Sequence, residues 1–303
     1  MNNIQGWLCV YKPLGLSSFS VIKKLKKKFD LEKIGHGGTL DPLAEGVLPI
    51  AIGKTTKLIP FINNDVKEYE FEIKWGEQTS TDDSEGDIIS SSNNIPQDID
   101  IINKLKEFDG EIIQKPPKAS AIKINGTRAY KLFRENKIFE TKEKKVTIYS
   151  SEFIKTLDNK SKSKFRISCG KGFYIRSFAR DFAEILGTKG HISTLKRTKV
   201  GKFTLKNANL LDDLLKIRQT LHEFKGFHTS VSMLDGILAY EIDDEKNRLS
   251  ISQGKSINID IKKLIKPPLN LTDRKIVFLT DKGKIISFGK LNGNLFKPDK
   301  VLI

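Results

Sequence analysis

The residues Gly35-His36-Gly37-Gly38-Thr39-Leu40-Asp41-Pro42-Leu43-Ala44-Glu45-Gly46-Val47-Leu48-Pro49 gather four glycines, two prolines, a histidine and two acids in one stretch. Glycine permits positive φ and close approach of a ligand, whereas Pro42 and Pro49 fix φ and interrupt helix. The pattern predicts a long ordered loop that holds one carboxylate, Asp41, in a set place. A carboxylate so held can serve as a nucleophile or as an acid–base group. An Asp-Pro pair alone more often just starts a turn, so Asp41 needs partners elsewhere in the chain.

The elements around this loop supply them. Trp7 to Tyr11 reads as a short buried strand, and Ser17 or Ser18 can cap a helix whose apolar positions are Val21, Ile22, Leu25 and Phe29. The other face of that helix is lysine: 23, 24, 26, 27 and 28. Leu48 to Ile52 reads as a strand. Gly53-Lys54-Thr55 suggests a phosphate loop, but the pattern requires glycine where Leu48 stands, and nucleotide binding is rejected. Lys67 to Trp75 alternates strictly and puts Tyr69, Phe71, Ile73 and Trp75 on one buried face. The acidic loop Thr81 to Asp87 lacks calcium-ligand spacing. Ser90 to Asp98 reads as disordered or as a surface loop, and Ile101 to Phe108 as helix. Asn125-Gly126 signals a hairpin turn, with a helix from Arg128 to Arg134. A further helix turns Ile175, Phe178, Phe182, Ile185 and Leu186 inward and ends at Gly187. Arg176 falls in its first turn, where a cation gains nothing from the helix dipole; a buried carboxylate would explain that position.

GHGGTLDPLAEGVLP resembles the signature loop of the TruB-type tRNA pseudouridine-55 synthases, whose general form is GHxGTLDPxAxGxLP. Lys12-Pro13-x-Gly15-x-Ser17-Ser18, Lys67-x-Tyr69, Pro116-Pro117-x-x-Ser120-Ala121, Lys171-Gly172-x-Tyr174-Ile175-Arg176 and the segment Gly190 to Gly201 resemble further motifs of that family, in the same order. The resemblance covers residues 6 to 236. It implies an α/β (α+β) fold with a mixed central sheet flanked by helices. It also implies a synthase domain over 1–236, a basic RNA-gripping insertion at about 115–145, and a small PUA-like barrel over 237–303. It carries the catalytic role to Asp41, with Arg176 as its ion-pair partner and Tyr69 as the residue that stacks on uracil and can relay the C5 proton. It makes His36, Tyr174, Leu195, Lys12 and Asp83 candidates for substrate or RNA binding, with His36 filling the space a flipped base leaves. The carboxylate can attack base or sugar, or assist deprotonation of the ribose; the sequence does not choose. The isomerisation is redox-neutral, so no cofactor or metal is expected.

Composition agrees with an anionic partner. The chain has 303 residues, with 53 lysines and arginines against 37 acids and a net charge of +16. Cys9 and Cys169 are the only cysteines, which suggests neither a disulfide framework nor a zinc site. No signal peptide and no run of about 20 apolar residues is read, so a cytoplasmic protein is expected. The expected partner is the T-arm of tRNA, bound by a monomer without guide RNA, protein partner or membrane. Two rivals are a guide-RNA-dependent relative inside a ribonucleoprotein and an RNA chaperone whose catalytic motif is incidental. The charged stretch Lys115 to Lys145 favours direct RNA grip over the first. A membrane-surface role would need bulky aromatics on the lysine-rich helix, which only partly qualifies.

Overall fold

The computed structural model describes residues 4–62, 66–218, 220–221, 224, 226–230, 232–233, 238–265 and 276–303. Trp7, Leu8, Cys9 and Val10 form a continuous apolar run, and β1 (Gly6–Lys12) is buried on both faces. In α1 (Ser18–Lys28), Val21, Ile22 and Leu25 are buried and the five lysines point outward. Ser17 is the N-cap, its hydroxyl accepting from the Ser20 N–H at 3.0 Å, which frees Ser18 for another task. The strand β2 (Ala44–Ile52) starts four residues before the predicted one. It can do so because Gly46 sits at φ +105°, where a Cβ would lie 2.3 Å from the Arg197 carbonyl oxygen.

β3 (Lys67–Trp75) alternates as predicted, with Tyr69, Phe71, Ile73 and Trp75 buried. Ser90 and Ser91 belong to a strand rather than an irregular loop: Ile88–Ser91 pairs antiparallel with Glu77–Thr79. Then come α2 (Asp98–Leu105), β4 (Gly110–Gln114), β5 (Lys144–Leu157), β6 (Lys162–Cys169), α3 (Ile175–Ile185) and β7 (Gly190–Val200). The sheet runs Asn209–Leu210, β1, β2, β7, β3, β6, β5, β4. It is mixed, since β7 lies parallel to β2 and antiparallel to β3. This central position of β7 matters for the site. Leu195 stands opposite Ala44 on one side and Phe71 on the other, and Arg197 opposite Gly46 and Tyr69.

α3 covers the sheet with Ile175, Phe178, Ala179, Phe182 and Ala183, packed on Phe71, Trp75 and Phe165. Ile185, expected inward, is 51% exposed. At 100° per residue it leaves the stripe that the other five define, whereas Leu186 returns to it and packs on the core. Gly187 ends the helix at φ +69°.

Between β4 and β5 the insertion forms a two-residue hairpin, Lys123–Ile124 with Thr127–Arg128, across Asn125 and Gly126 at φ +48° and +84°. Two positive φ values are what the predicted Asn-Gly turn requires. A short helix, Ala129–Arg134, follows. The C-terminal strands β8 (Leu238–Glu241), β9 (Ile276–Asp281), β10 (Lys284–Asn292) and β11 (Leu295–Val301), with Ile257–Asn258, make a second sheet in the order β8, β9, β10, β11, Ile257–Asn258. Phe278, Ile285 and Leu302 of this part share an apolar cluster with Trp7, Leu58 and Ile62. The Phe61 ring meets Phe278 edge-on, with centroids 4.8 Å apart. The predicted boundary at 236/237 lies outside the described residues. No described helix is long and apolar enough to cross a membrane.

Candidate active site

The loop before β2 is pinned from beneath by β1 and the start of α1. The Ser18 hydroxyl accepts from the Leu40 N–H at 2.8 Å and lies 3.0 Å from the Leu40 carbonyl, to which it donates. Gly15 N–H donates to the Pro42 carbonyl at 2.9 Å, and the Asp41 carbonyl accepts from the Ala44 N–H at 3.1 Å. The Lys12 ammonium donates to the carbonyls of Leu16, Pro13 and Pro42. Asp41 is thus fixed through both neighbours. The motif with Lys12 and Ser18 therefore supports the site, but Lys12 is fully buried and its charge meets backbone carbonyls, not an RNA surface. Burial pushes the Lys12 ammonium down to about 8, and Asp41 is the first charge opposing that shift.

Arg176 comes from the opposite side, out of the first turn of α3. Its Nη2 stands 2.9 Å from Asp41 Oδ2 and its Nη1 3.3 Å from Asp83 Oδ2. The same two nitrogens donate to the carbonyls of Ala119 at 3.0 Å and Thr81 at 3.1 Å. Its position in the unfavourable turn is accounted for: two carboxylates and two carbonyls surround the two terminal nitrogens of the guanidinium. The Arg176 and Asp83 side chains are 6% and 2% exposed, whereas that of Asp41 is 36% exposed. Asp83 is spent inside the loop, where its Oδ1 accepts from the Thr81 hydroxyl at 2.6 Å and the Glu85 N–H at 3.1 Å. Asp83 orients Arg176, and Asp41 alone of the two faces open space.

That space is a cavity of about 310 Å³ lined by Asp41, Tyr69, Tyr174, Arg176, Leu195 and Arg197, among others. Its size is at the lower end of the roughly 300–1,000 Å³ typical of small-ligand sites. Tyr69 enters from β3, and burial pushes its phenol up, opposed by the charge of Arg197. Leu195 supplies an apolar wall. Tyr174 is held by Gln114, whose side-chain amide accepts from the Tyr174 N–H at 2.8 Å and donates to its carbonyl at 3.0 Å. Burial raises the Tyr174 phenol as well. Five of the eight candidates therefore meet at one cavity: Asp41, Tyr69, Arg176, Tyr174 and Leu195. Asp83 and Lys12 stand behind it.

His36 is not on the cavity wall. It lies in an extended stretch, Ile34–His36, paired with β2 opposite Ile50, and its Nδ1 is buried without a hydrogen-bond partner. Burial first, and Arg197 second, hold its imidazole below the usual value.

Arg197 was not singled out in the sequence and is central here. It is 1% exposed; Nε donates to the Val47 carbonyl at 2.8 Å and Nη2 to the Gly38 carbonyl at 3.1 Å. It thereby ties the glycine loop to the first half of β2 while standing opposite Tyr69 on the neighbouring strand. The signal was present: Arg197 is two residues after Leu195 and so shares its face of a strand. Ser120, buried at 3% exposure, also lines the cavity. Cys9 and Cys169 are buried thiols pushed up to about 12 by desolvation, and neither is poised to react.

Residues 26–175 match the TruB family pseudouridylate synthase N-terminal domain, and residues 176–238 the tRNA pseudouridylate synthase B C-terminal domain. The chain is 35% identical over 313 residues to the tRNA pseudouridine synthase B of Bartonella bacilliformis, covering 99% of this chain and 96% of the relative. It is 36% identical over 306 residues to that of Agrobacterium fabrum, covering 98% and 94%. A solved structure of a Cbf5–Nop10–Gar1 complex matches with a TM-score of 0.74 at 24% identity, over 98% of this chain and 85% of that one, which speaks to the fold alone.

Proposed function

The chain belongs to the TruB family of pseudouridylate synthases, and on that premise we propose that it converts uridine 55 in the T-loop of tRNA to pseudouridine, with Asp41 as the catalytic carboxylate. The observation that carries the assignment is the ion pair itself: a buried arginine with both terminal nitrogens engaged presents one partly exposed carboxylate to a cavity of about 310 Å³, across from a tyrosine. In the reaction the bond from uracil N1 to ribose C1′ breaks, the base turns, and C5 bonds to C1′. The hydrogen on C5 leaves as a proton and N1 gains one, so atoms and electrons balance without an external reagent. Asp41 would act on the base or the sugar, and Arg176 would keep its carboxylate aimed. Tyr69 would stack on uracil and carry the C5 proton, Leu195 and Tyr174 would enclose the base, and Arg197 would fix the loop that holds Asp41. The uridine must leave its stack, which costs a few kcal/mol, to reach this depth.

The division of labour that supports this reading puts the chemistry in residues 1–236 and further RNA contact in 237–303. The insertion at about 115–145 carries ten lysines and arginines against three glutamates, a charge suited to a phosphate backbone. Its carbonyls at Lys115 and Ala119 accept from Ser177, Arg180 and Arg176 of α3, which ties the grip to the catalytic pair. Such a chain would work as a cytoplasmic monomer on free tRNA, without guide RNA, protein partner or cofactor.

The test is to map pseudouridine by carbodiimide adducts and primer extension on an unmodified tRNA transcript treated with purified protein. One stop at position 55, lost when that uridine is replaced by cytidine, is expected. Product at other positions only, or only when a guide RNA is added, would overturn the reading.

A further inference from the structure

The other end of β2 opens on a different cavity. It has a volume of about 1030 Å³, with walls that include Lys26, Lys33, Lys54, Lys57 and Lys284. These come from four places in the fold: the last turn of α1, the segment after it, the turn Gly53–Leu58 that follows β2, and the start of β10. None of the five takes part in an ion pair among the described residues. Two acids, Asp30 and Glu32, also line it. Lysines in the last turn of α1 have an ordinary reason to be there, since they complement the helix dipole. Lys57, in the last turn of Gly53–Leu58, shares it in part, but Lys33, Lys54 and Lys284 do not. Desolvation, and then the charges of Lys300, Lys33 and Lys54, hold the Lys57 ammonium below its usual value. Cations brought together from separate elements repel one another, and an anion settling among them would relieve that cost.

The spacing to the active site is bounded by one segment. Lys33 lines one cavity and Gly38 the other, so the two walls lie within roughly 17 Å of each other, five residues at about 3.3 Å per residue. The segment Lys33 to Gly38 runs back along β2 from one cavity to the other. A rigid nucleic acid with its loop in the first cavity has duplex backbone to offer at that range.

We propose that the lysine cleft formed by Lys33, Lys54, Lys57 and Lys284 is a second RNA phosphate-backbone site, gripping the tRNA body outside the arm whose uridine enters the Asp41 cavity. The inference rests on tRNA being the substrate. Each lysine neutralises backbone charge and releases counterions, so the cleft adds affinity and salt dependence without sequence preference.

The experiment compares wild type with the triple variant Lys33→Ala, Lys54→Ala, Lys57→Ala on two substrates, a full-length tRNA transcript and an isolated T-arm hairpin. None of the three residues touches the Asp41 cavity, and turnover of the hairpin serves as the folding control. For the full-length tRNA, KM should rise about tenfold near 0.15 M salt, and the slope of log binding constant against log salt should fall by about 2–3. The hairpin KM and both kcat values should stay within twofold. Lysine-to-arginine substitution at the same three positions should restore the full-length KM. Unchanged KM and salt slope on full-length tRNA would overturn the proposal, and so would equal losses on both substrates. Were wild type to isomerise neither RNA, the proposed activity would fail, and the salt slopes of binding would still decide whether the cleft holds RNA.

Discussion

Arg176 and Arg180 sit one turn apart on the same helix and are built into nearly the same surroundings. Each pairs with an acid from the same loop, Arg176 with Asp83 at 3.3 Å and Arg180 with Asp82 at 2.8 Å. Each donates to a carbonyl of the insertion, Ala119 or Lys115. Their second carboxylates differ. For Arg180 it is Asp181, the next residue in the helix, and the pair closes on itself. For Arg176 it is Asp41, delivered by a remote loop and left partly exposed on a cavity. Burial raises the carboxyls of both Asp82 and Asp181, with Arg180 opposing it, as expected for acids placed for structure. An arginine–carboxylate pair is therefore not itself a mark of catalysis. What separates the two is whether the second carboxylate has somewhere to reach.

The sharpest break of this comparison is Arg176→Ala. Removing one partner strands two carboxylates, so loss of turnover below detection should accompany a stability loss of about 3–5 kcal/mol, read by urea denaturation. Tyr69→Phe removes one hydroxyl and keeps the ring. Single-turnover kinetics should show a rate loss of roughly 100-fold or more with tRNA affinity within a few-fold. Arg180→Ala should do the reverse of Tyr69→Phe. It should cost about 1–3 kcal/mol of stability, discounted for its partial exposure, while kcat at a temperature where the fold persists stays within about tenfold of wild type. A larger loss of kcat than for Tyr69→Phe would erase the distinction between the two arginines.

The smallest effect is a dependence on pH at Lys12. Its folded-state value of about 8 lies below the ordinary lysine value of 10.5, so between these the folded chain binds fewer protons than the unfolded one. Stability then rises with pH across that window, because the unfolded state must lose the proton the folded state has already shed. Lys12→Met lacks this rise. The Tm difference between wild type and Lys12→Met should shift in favour of wild type as pH goes from about 8 to about 10; a constant difference would contradict the assignment.

Much of this was legible in the sequence because it rests on short periodicities. The strict alternation of Lys67–Trp75 gave Tyr69 its buried face, and Asn125-Gly126 gave the hairpin turn. Asp41 and Arg176 were picked out by the family motifs they stand in; alone, an Asp before a proline usually just starts a turn and a helix arginine is usually solvated. Long-range pairing was not legible. Nothing local says that β7 inserts between β2 and β3, and that insertion is what sets Arg197 against Tyr69 and Gly46. The resemblance made Lys12 a candidate for RNA contact, and its complete burial was not legible, because burial of a polar side chain depends on what the rest of the chain lays over it. The lysine cleft escaped notice for the same reason, its members lying on four separate segments.

The account stands or falls on Asp41. The most direct measurement is tritium release from a full-length tRNA transcript carrying C5-tritiated uridine, with wild type and Asp41→Asn side by side and no added cofactor or guide. The account predicts one label released per tRNA by wild type, none by Asp41→Asn, and tRNA binding by the variant within a few-fold of wild type. Release by Asp41→Asn at a rate near that of wild type would contradict it.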